Sequence, residues 1–409
     1  MTINVVTQVG NSVPLTNSVR AQYIEAYLNG AAPARLYDQL STPVPNNGEM
    51  AHGSSVNVPF LSDMSPGTSA ISEIADIIPQ ALRDATAQIT LTSRGEATQV
   101  SEKALLTTFT PYQAEMAKRV GLNMMETVDS LARDAATQGS LLFRDSASRI
   151  TLDAGSTSNR ADEATLMNAS GRLQTLKVPG FVDPVNGQES WAAITHPLVF
   201  HDILRSGNVL SIAQYQNQRI LLNHELGSVH GFRLVVSPWA KVFIGAGAAH
   251  AKTVATEVKN DVNALSKTLV ASLTSSVENG AFLNVIDTLE SGDTHVSTNE
   301  RVKYVSHSGG TTITFVGEGA NGGLRFSHVG GTALLTNNDS AYTIVLGGPM
   351  SLAKVYSPEV GEFGQIVGPK RDGLVDQFVT LGWKWYGGYG RFRENGLARV
   401  EVSVSAENI

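Results

Sequence analysis

The chain of 409 residues contains no cysteine. This absence excludes disulfide frameworks, thiolate zinc sites and cysteine nucleophiles, and it leaves the compartment open because reducing and oxidising settings both tolerate it. No stretch approaches the roughly 20 apolar residues that a membrane helix needs. Residues 1–10 have no positive charge and no apolar segment of signal-peptide length. The sequence therefore predicts a soluble protein that is not exported by the usual route.

Charged side chains are also scarce. They make up 16% of the chain, against roughly 25% in ordinary soluble domains. The net charge is −7 and there is no basic run, which argues against a dedicated nucleic-acid binder because phosphate contacts need clustered lysine and arginine. Few charges also leave a surface that keeps neighbouring molecules apart only weakly.

Motifs that resemble catalytic or cofactor sites fail a test of spacing. His224 and His230 flank a glutamate as in zinc proteases, but that motif needs its histidines four residues apart so that both face one metal. Gly245 and Gly247 begin like a dinucleotide fingerprint, yet His250 occupies the third glycine position. Neither a phosphate-binding loop nor a serine-nucleophile elbow occurs. We predict no catalytic, cofactor-binding or metal residue. No motif supports an enzyme, although this class stays open here because nucleophile and base are often far apart in sequence.

The strongest local signal is a long helix over residues 110–139. Thr110 can cap its first turn, Pro111 suits the first helical position, and Gly139 closes it. Such a helix would be about 42 Å long. One narrow apolar stripe and two outer ion pairs favour a strut laid across a sheet. The stripe comprises Ala117, Val120, Met124, Val128, Leu131 and Ala135, and the pairs are Glu115 with Arg119 and Asp129 with Arg133.

Two segments have apolar faces but no core of their own. Residues 1–61 form an arm that contains prolines and one short helix, which cannot bury its own face. Strands 56–61 and 85–92 flank an aliphatic excursion at 62–84. We expect both segments to lie on a neighbouring subunit or, as the alternative, to fold under the parent domain. The candidate subunit-contact residues are Tyr23, Tyr27, Ile71, Ile74, Ile77, Ile78 and Leu82.

The rest of the chain mixes helices and strands, which indicates an α/β or α+β unit. Residues 246–335 show a helical pattern at Val254, Val258, Val262, Leu265, Leu269 and Leu273, followed by Gly-, Ser- and Thr-rich hairpins, so we interpret them as an inserted subdomain. The tail alternates over 379–386 and 398–404 around a turn at Gly387-Gly388. We expect the helix from Thr110 to cover the apolar face of both tail strands. The remaining predicted elements are helices from 162 to about 174 and from Pro197, and strands at 191–195, 232–236 and 342–346.

This order of segments resembles the major capsid proteins of tailed bacteriophages, which have the HK-ninety-seven-like fold. Three stretches are similar to the coat-protein branch of N-four-like phages. They are Ala193-Ile194-Thr195-His196-Pro197, Gly227-Ser228-Val229-His230-Gly231-Phe232-Arg233-Leu234 and Thr380-Leu381-Gly382-Trp383-Lys384. The resemblance covers most of the chain except about 246–335.

The resemblance implies an α+β capsid fold with a spine helix, a β sheet and an axial domain that carries an inserted α/β subdomain. The subunits would form hexamers and pentamers of an icosahedral shell around double-stranded DNA, assembled in the host bacterial cytoplasm without a cofactor. Partners would be a portal, a separate scaffolding protein and non-specifically contacted DNA, with a decoration protein as an optional further partner, but no membrane. The implied segments are N-arm 1–61, E-loop 62–91, peripheral domain 92–190, axial domain 191–245 and 336–353, insertion 246–335 on the outer surface, and a return to the peripheral sheet at 354–409.

One departure from the family separates this chain from members that cross-link covalently. In those members a lysine of the E-loop attacks an asparagine of a neighbour, but here the first lysine is Lys103, beyond the loop. The resemblance therefore implies a shell held by non-covalent contacts. Two other classes stay open at this point: a β-rich surface or adhesion protein, favoured by the Ser, Thr and Gly content, and a cytosolic α/β enzyme.

Overall fold

The fold is that of a computed structural model, in which part of the chain is described. The described residues are 36–44, 54–61, 64, 66–67, 81, 84–107, 112–139, 141–182, 189–206, 228–229, 231–248, 255–272, 277, 281–288, 298–308, 312–362, 364–372, 377–392 and 394–405. The chain divides into two compact units, each made of two segments. The first comprises Met1–Ala135 and Leu352–Phe392, and the second comprises Ala136–Ser351 and Arg393–Ile409.

Strands outnumber helices in the described part of the chain. The α helices are α1 (Glu102–Thr107), α2 (Tyr112–Thr137), α3 (Glu163–Thr175) and α4 (Pro197–Arg205). The strands are β1 (Ser41–Pro43), β2 (Ser55–Leu61), β3 (Asp84–Thr90), β4 (Thr92–Ser101), β5 (Leu142–Phe143), β6 (Phe181–Val182), β7 (Glu189–Thr195), β8 (Ser228–Val229), β9 (Phe232–Val236), β10 (Val242–Phe243), β11 (Ala255–Glu257), β12 (Thr268–Val270), β13 (Phe282–Ile286), β14 (Glu300–Ser308), β15 (Thr312–Gly317), β16 (Leu334–Thr336), β17 (Ala341–Gly347), β18 (Leu352–Tyr356), β19 (Gln365–Asp372), β20 (Phe378–Arg391) and β21 (Leu397–Val402).

The first unit is a sheet covered by the long helix. Strands run in the order β1-β18-β20-β19, and β4 pairs with β20 as well. The apolar side of α2 packs on Leu381, Trp383 and Trp385 of β20, and the indole N–H of Trp383 donates to the side-chain oxygen of Asn123 at 2.8 Å. The expectation that this helix covers the first tail strand is confirmed.

The buried face of α2 is broader than the predicted stripe. Met125, Ala132 and Ala136 are fully buried, whereas Leu131 and Ala135 are only partly buried. The helix therefore presents a wide face rather than one narrow seam. The outer pair of Glu115 with Arg119 is confirmed at 3.0 Å. The placement of Asp129 outside is wrong, because this carboxylate is 3% exposed.

Two expectations about the tail are wrong. Gly387 and Gly388 make no turn; they lie inside β20, where a Cβ at Gly388 would collide with the carbonyl oxygen of Thr90. These glycines allow close approach of another backbone. The strand that contains Ala398 is not covered by α2 either. It is β21, which pairs with β17 in the sheet of the second unit.

The second unit is built on an eight-stranded sheet, ordered β5-β21-β17-β7-β9-β8 with β10 and β6 attached to β17 and β7. Every residue of β17 is buried, as expected for a central strand. Helices α3 and α4 pack on the sheet through Leu166, Leu173, Val199 and Ile203. The helices and strands that the sequence predicted here are confirmed. Asp162 caps α3 by accepting from the amide of Thr165 at 2.8 Å.

Among its described residues the inserted segment contains no α helix, and residues 255–272 form short strands and turns, so the predicted α/β character is wrong. Val258, Val262 and Leu269 are buried in extended or turn segments. Leu265 is 58% exposed and has a φ of 71°, a left-handed conformation that a helix interior excludes. The spacing of three and four residues that predicted a helix here has another origin. Short strands and turns each place one apolar side chain in the same core at similar intervals.

The six strands of the inserted segment, β11 to β16, close into a small barrel. Their order is β11-β16-β13-β14-β15-β12, and the open ends meet where Val258 bridges Ala271 and the amide of Lys259 donates to the carbonyl of Val270 at 2.7 Å. Closure removes the unpaired edges of the sheet. Among the described residues, the buried core of the barrel is formed by side chains between Val258 and Leu335.

We expect the barrel to be removable. Its entry and exit are paired directly, since Gly247 N–H donates to the Asp339 carbonyl at 2.7 Å and Asp339 N–H donates to that of Ala248 at 3.0 Å. Replacing residues 249–338 by a short glycine-serine linker should leave the amides of β7 and β17 protected from hydrogen exchange, because the barrel has its own core. Leu346→Asp, which places a charge in the central strand, serves as the unfolding control. Loss of protection after the deletion would contradict the prediction.

Inside the barrel, His328 bridges two carboxylates. Its Nδ1 lies 2.8 Å from Asp287 and its Nε2 lies 2.7 Å from Glu300. Glu300 also accepts the amides of Arg325 and Phe326. Burial lowers the pKa of His328, but the hydrogen bonds and charges of Glu300 and Asp287 outweigh it and leave the pKa raised.

The stabilisation of the barrel by the contacts of His328 with Glu300 and Asp287 should therefore decline as pH rises. A raised folded-state pKa gives stabilisation that is complete below the unfolded value of about 6.5 and disappears as pH rises through the folded value. Hydrogen exchange at the Arg325 and Phe326 amides should accelerate over that range beyond its intrinsic pH dependence. His328→Gln should remove this excess acceleration, and substitution of the exposed His201 by glutamine should retain it. An excess that persists in His328→Gln would refute the assignment.

Candidate functional site

The seven predicted subunit-contact residues lie outside the described residues, so the structure tests none of them. They are Tyr23, Tyr27, Ile71, Ile74, Ile77, Ile78 and Leu82. What the structure does describe is how the two segments that carry them are fastened to the first unit. The candidate site is therefore the pair of anchors, one at the base of the arm and one at the base of the excursion.

The first anchor is a buried carboxylate on α2. Oδ1 of Asp129 accepts three consecutive backbone amides, from Leu36 at 3.0 Å, Tyr37 at 2.8 Å and Asp38 at 3.0 Å. Three donors converging on one ionised oxygen make charge-assisted bonds that fix the direction of the chain. Tyr37 is fully buried beside them, and this burial raises the pKa of its phenol. Residues 36–38, at the base of the arm, are therefore held to the first unit at a defined point.

A buried ion pair strengthens the same anchor. Lys354 Nζ on β18 lies 2.7 Å from Asp38 Oδ1 and 3.2 Å from Glu362 Oε1. The hydroxyl of Tyr389 donates to the same Asp38 oxygen at 2.5 Å. Just beyond, β1 adds to the sheet as a strand parallel to β18, starting with Ser41 beside Leu352. The Lys354–Asp38 ion pair and the backbone pairing of β1 thus hold residues 36–44 against β18.

The second anchor is the root of a hairpin. β2 and β3 pair in register from Ser55 with Thr90 to Leu61 with Asp84, which confirms the predicted strand pairing. Near the root, Val56, Val58, Ile89 and Leu91 pack against Ala353 and Val355 of β18. A side chain at Gly390 would collide with Ile89, so the glycine lets β20 approach the hairpin.

The opposite face of the hairpin is polar and exposed. Asn57, Thr86, Gln88 and Thr90 alternate with the buried residues and face solvent. Within the described part of the chain, β2 and β3 pair only with each other. A two-stranded hairpin is marginal by itself. Its root is stabilised by packing on β18 of the first unit.

The second unit contains a buried charge cluster that is structural in character. Glu401 has a fully buried side chain between three guanidinium groups, with contacts of 2.5 Å to Arg144, 2.6 Å to Arg149 and 3.0 Å to Arg399. Burial opposes its ionisation, but the hydrogen bonds and charges of the three arginines outweigh burial and hold the pKa of Glu401 below its usual range. Arg149 also stacks 3.6 Å from the ring centre of Phe243.

The described residues offer little for catalysis. No group of three or more His, Asp or Glu side chains among them could hold a metal ion. Gly245 and Gly247 serve packing, because a Cβ at Gly245 would lie 2.5 Å from Ile286 and one at Gly247 would lie 2.8 Å from the carbonyl oxygen of Asp339. His224 and His230 lie outside the described residues. None of the helices that the structure describes has the length and apolarity to cross a lipid bilayer.

The sequence missed the anchor residues. Asp129 was assigned to an outer ion pair, and Asp38, Lys354 and Tyr389 carried no prediction. One signal was available, since Asp129 lies four residues after Met125 and three before Ala132, on the same helical face. A carboxylate on a broad apolar face needs a partner when it is buried. Nothing in the sequence indicated that its partners would be the amides of residues 36–38.

Comparisons with known proteins identify the fold. No family model matches the chain, and no curated protein matches it either. Among solved structures, it is similar to the capsid of Ralstonia phage GP4 (9% identity, 86% of this chain and 84% of that one, TM-score 0.50). The cyanophage Pam1 capsid gives 12% identity, 86% of both chains and a TM-score of 0.50. The acid-stable capsid of Helicobacter pylori bacteriophage KHP30 gives 9% identity, 98% and 96% coverage and a TM-score of 0.52. The chain has the mixed α+β fold of phage capsid proteins.

Proposed function

We propose that the protein is the major capsid protein of a tailed bacteriophage. The observation that carries this proposal is the similarity of fold to phage capsid proteins over more than four-fifths of each chain. We assign it to the HK-ninety-seven-like fold and, within that fold, to the coat-protein branch of N-four-like phages. The protein acts by self-association and is not an enzyme. Its subunits form the hexamers and pentamers of an icosahedral shell around double-stranded DNA.

The anchors support this proposal independently of the similarity. The described residues next to both candidate segments are held at fixed points, residues 36–38 by Asp129 and the root of the β2–β3 hairpin by β18. A segment that is rigid at its root and carries apolar side chains beyond it suits overlap with a neighbouring subunit. Such contacts are heterologous, and repetition around closed symmetry makes a shell. The seven candidate contact residues remain our proposal for these overlaps.

The parts of the chain are assigned accordingly. We propose residues 1–61 as the N-arm, 62–91 as the E-loop, α2 as the spine helix, the sheet of the first unit as the peripheral domain and the eight-stranded sheet as the axial domain. The barrel would lie on the outer surface of the axial domain. A portal and a separate scaffolding protein would join assembly in the host cytoplasm, a decoration protein would be a possible further partner, and the packaged DNA would be contacted without sequence preference.

Light scattering on the eluate of a size-exclusion column, with negative-stain images of the leading peak, tests the function. With scaffolding protein present, we expect closed particles of megadalton mass or ring-shaped capsomers. Ile74→Asp combined with Ile78→Asp should reduce assembly, because charges would be buried in a subunit contact. Exchange of the exposed Glu318 for glutamine provides the matched control. A homogeneous species of one to four subunits under these conditions would reject the proposal.

Intact shells should dissociate fully in denaturant. The E-loop region has no lysine, so the nucleophile for covalent bonds between subunits is missing there. Denaturing gels of purified shells should show the single chain without higher multiples. A covalent ladder would contradict this prediction.

A further inference from the structure

The ion pair at the arm anchor involves more groups than the two of a simple salt bridge. Lys354 Nζ lies 2.7 Å from Asp38 Oδ1, and a second carboxylate, that of Glu362, lies 3.2 Å from the same nitrogen. The Tyr389 hydroxyl donates to Asp38 Oδ1 at 2.5 Å. The rings of Tyr356 and Tyr389 both have their centres 5.8 Å from the amine. An amine, a carboxyl group and a possible proton carrier thus meet beside aromatic rings.

Burial favours the reactive forms of this pair. The Lys354 side chain is 2% exposed and that of Asp38 is 1% exposed. Two charges in the interior lose most of their hydration energy. Transfer of one proton from the ammonium to the carboxylate removes both charges and yields a free amine beside a carboxylic acid. Those are the forms that condense, and fixed contact replaces the encounter that two free molecules would need.

We propose that Lys354 and Asp38 form an isopeptide bond within one chain. The bond from Nζ of Lys354 to Cγ of Asp38 forms, and the bond from Cγ to Oδ2 breaks. The ammonium and the carboxylate together become one neutral amide and one water molecule. The balance needs no oxidant, metal or co-reactant.

The neighbouring side chains have defined parts in this step. Glu362 contacts the attacking nitrogen, so its carboxylate can take a proton from the amine and deliver it to the departing oxygen. Its side chain is 39% exposed, which lets it exchange protons with solvent. Tyr389 donates to Oδ1, the oxygen that gains negative charge in the tetrahedral intermediate.

The bond would tie the base of the arm covalently to β18. It joins positions 316 residues apart and would restrict the unfolded chain as a disulfide does. Because both residues belong to the same chain, a denatured shell would still give single subunits on a gel. The proposal is therefore compatible with the absence of bonds between subunits, and it does not depend on the capsid function.

Mass spectrometry of the denatured full-length protein is the first test. We expect a chain lighter than its sequence by one water molecule and, after protease digestion, one branched peptide pair that joins Asp38 to Lys354. Asp38→Asn should lose ammonia instead of water, and Lys354→Arg should yield the full mass. Wild-type protein at its full sequence mass, with the two peptides separate, would overturn the proposal and leave an ordinary ion pair.

A second measurement tests the part assigned to Glu362. Freshly synthesised Glu362→Gln should accumulate the linked form at least tenfold more slowly than the wild type. Glu359→Gln alters an exposed carboxylate nearby and should link at the wild-type rate. Equal rates in Glu362→Gln and the wild type would overturn the role of Glu362 as proton carrier.

Discussion

Exchange of Glu401 for glutamine is expected to destabilise the second unit by about 3–5 kcal/mol. The substitution keeps the size of the side chain but removes the negative charge that Arg144, Arg149 and Arg399 share. Two of these arginines are nearly as buried as the glutamate. Removing one partner of a buried pair costs more than the pair contributes, because the remaining charges lose their compensation.

The measurement is chemical unfolding of unassembled protein, followed by hydrogen exchange at the amides of β17 and β21. Glu318→Gln, an exposed carboxylate in the same unit, should change stability by no more than about 0.5 kcal/mol. If Glu401→Gln unfolds at the same denaturant concentration as the wild type, the cluster does not stabilise the unit.

The same cluster predicts a response to acid. Because the folded-state pKa of Glu401 is lowered, its contribution is fully present above the unfolded value of about 4.3 and disappears as pH falls through the lower folded value. Wild-type protein should thus lose stability on acidification below about pH 4. Glu401→Gln should lose less over that range, since it has no carboxylate to protonate at this position. Parallel acid titrations of the two proteins would contradict the assignment.

Much of the fold follows from local patterns. Helix α2, the capped helix after Asp162, the helix from Pro197 and the strands at 191–195 and 232–236 are found where periodicity and capping indicated them. These elements have long or well-bounded signals, which tertiary contacts had no reason to override. The hairpin was also predictable, because two alternating runs flank the excursion.

The failures have a common physical cause. Gly387-Gly388 indicated a turn because glycine permits one, but here the missing side chains let other backbones approach. The sequence of the barrel predicted a helix because its short strands and turns place apolar residues at intervals of three and four positions. The spacing of Asp129 and Arg133 indicated an ion pair on the outer face of the helix. Asp129 is buried instead, because it binds backbone amides more than 90 positions away. In each case the decisive partner is distant in sequence, and local spacing carries no information about it.

Replacement of Asp129 by alanine is expected to loosen the base of the arm without damaging α2. Alanine favours helix, but it leaves the amides of Leu36, Tyr37 and Asp38 without this acceptor. An unsatisfied buried donor costs about 1–3 kcal/mol. We therefore expect the three amides to exchange hydrogen on the order of a hundredfold faster, which corresponds to about 3 kcal/mol. Asp129→Asn keeps one acceptor oxygen but loses the charge, so it should be intermediate.

The order of these variants separates an anchor from a general defect in packing. Circular dichroism should report unchanged helix content in both, and Glu115→Gln on the exposed face of α2 should leave exchange at residues 36–38 unaltered. If assembly depends on where the arm leaves the unit, shell yield should follow the same order: wild type, Asp129→Asn, Asp129→Ala. Full yield with a loosened arm base would show that the arm finds its contacts without this anchor. Hydrogen-exchange rates at residues 36–38 that equal those of the wild type in Asp129→Ala would show that Asp129 does not anchor the arm.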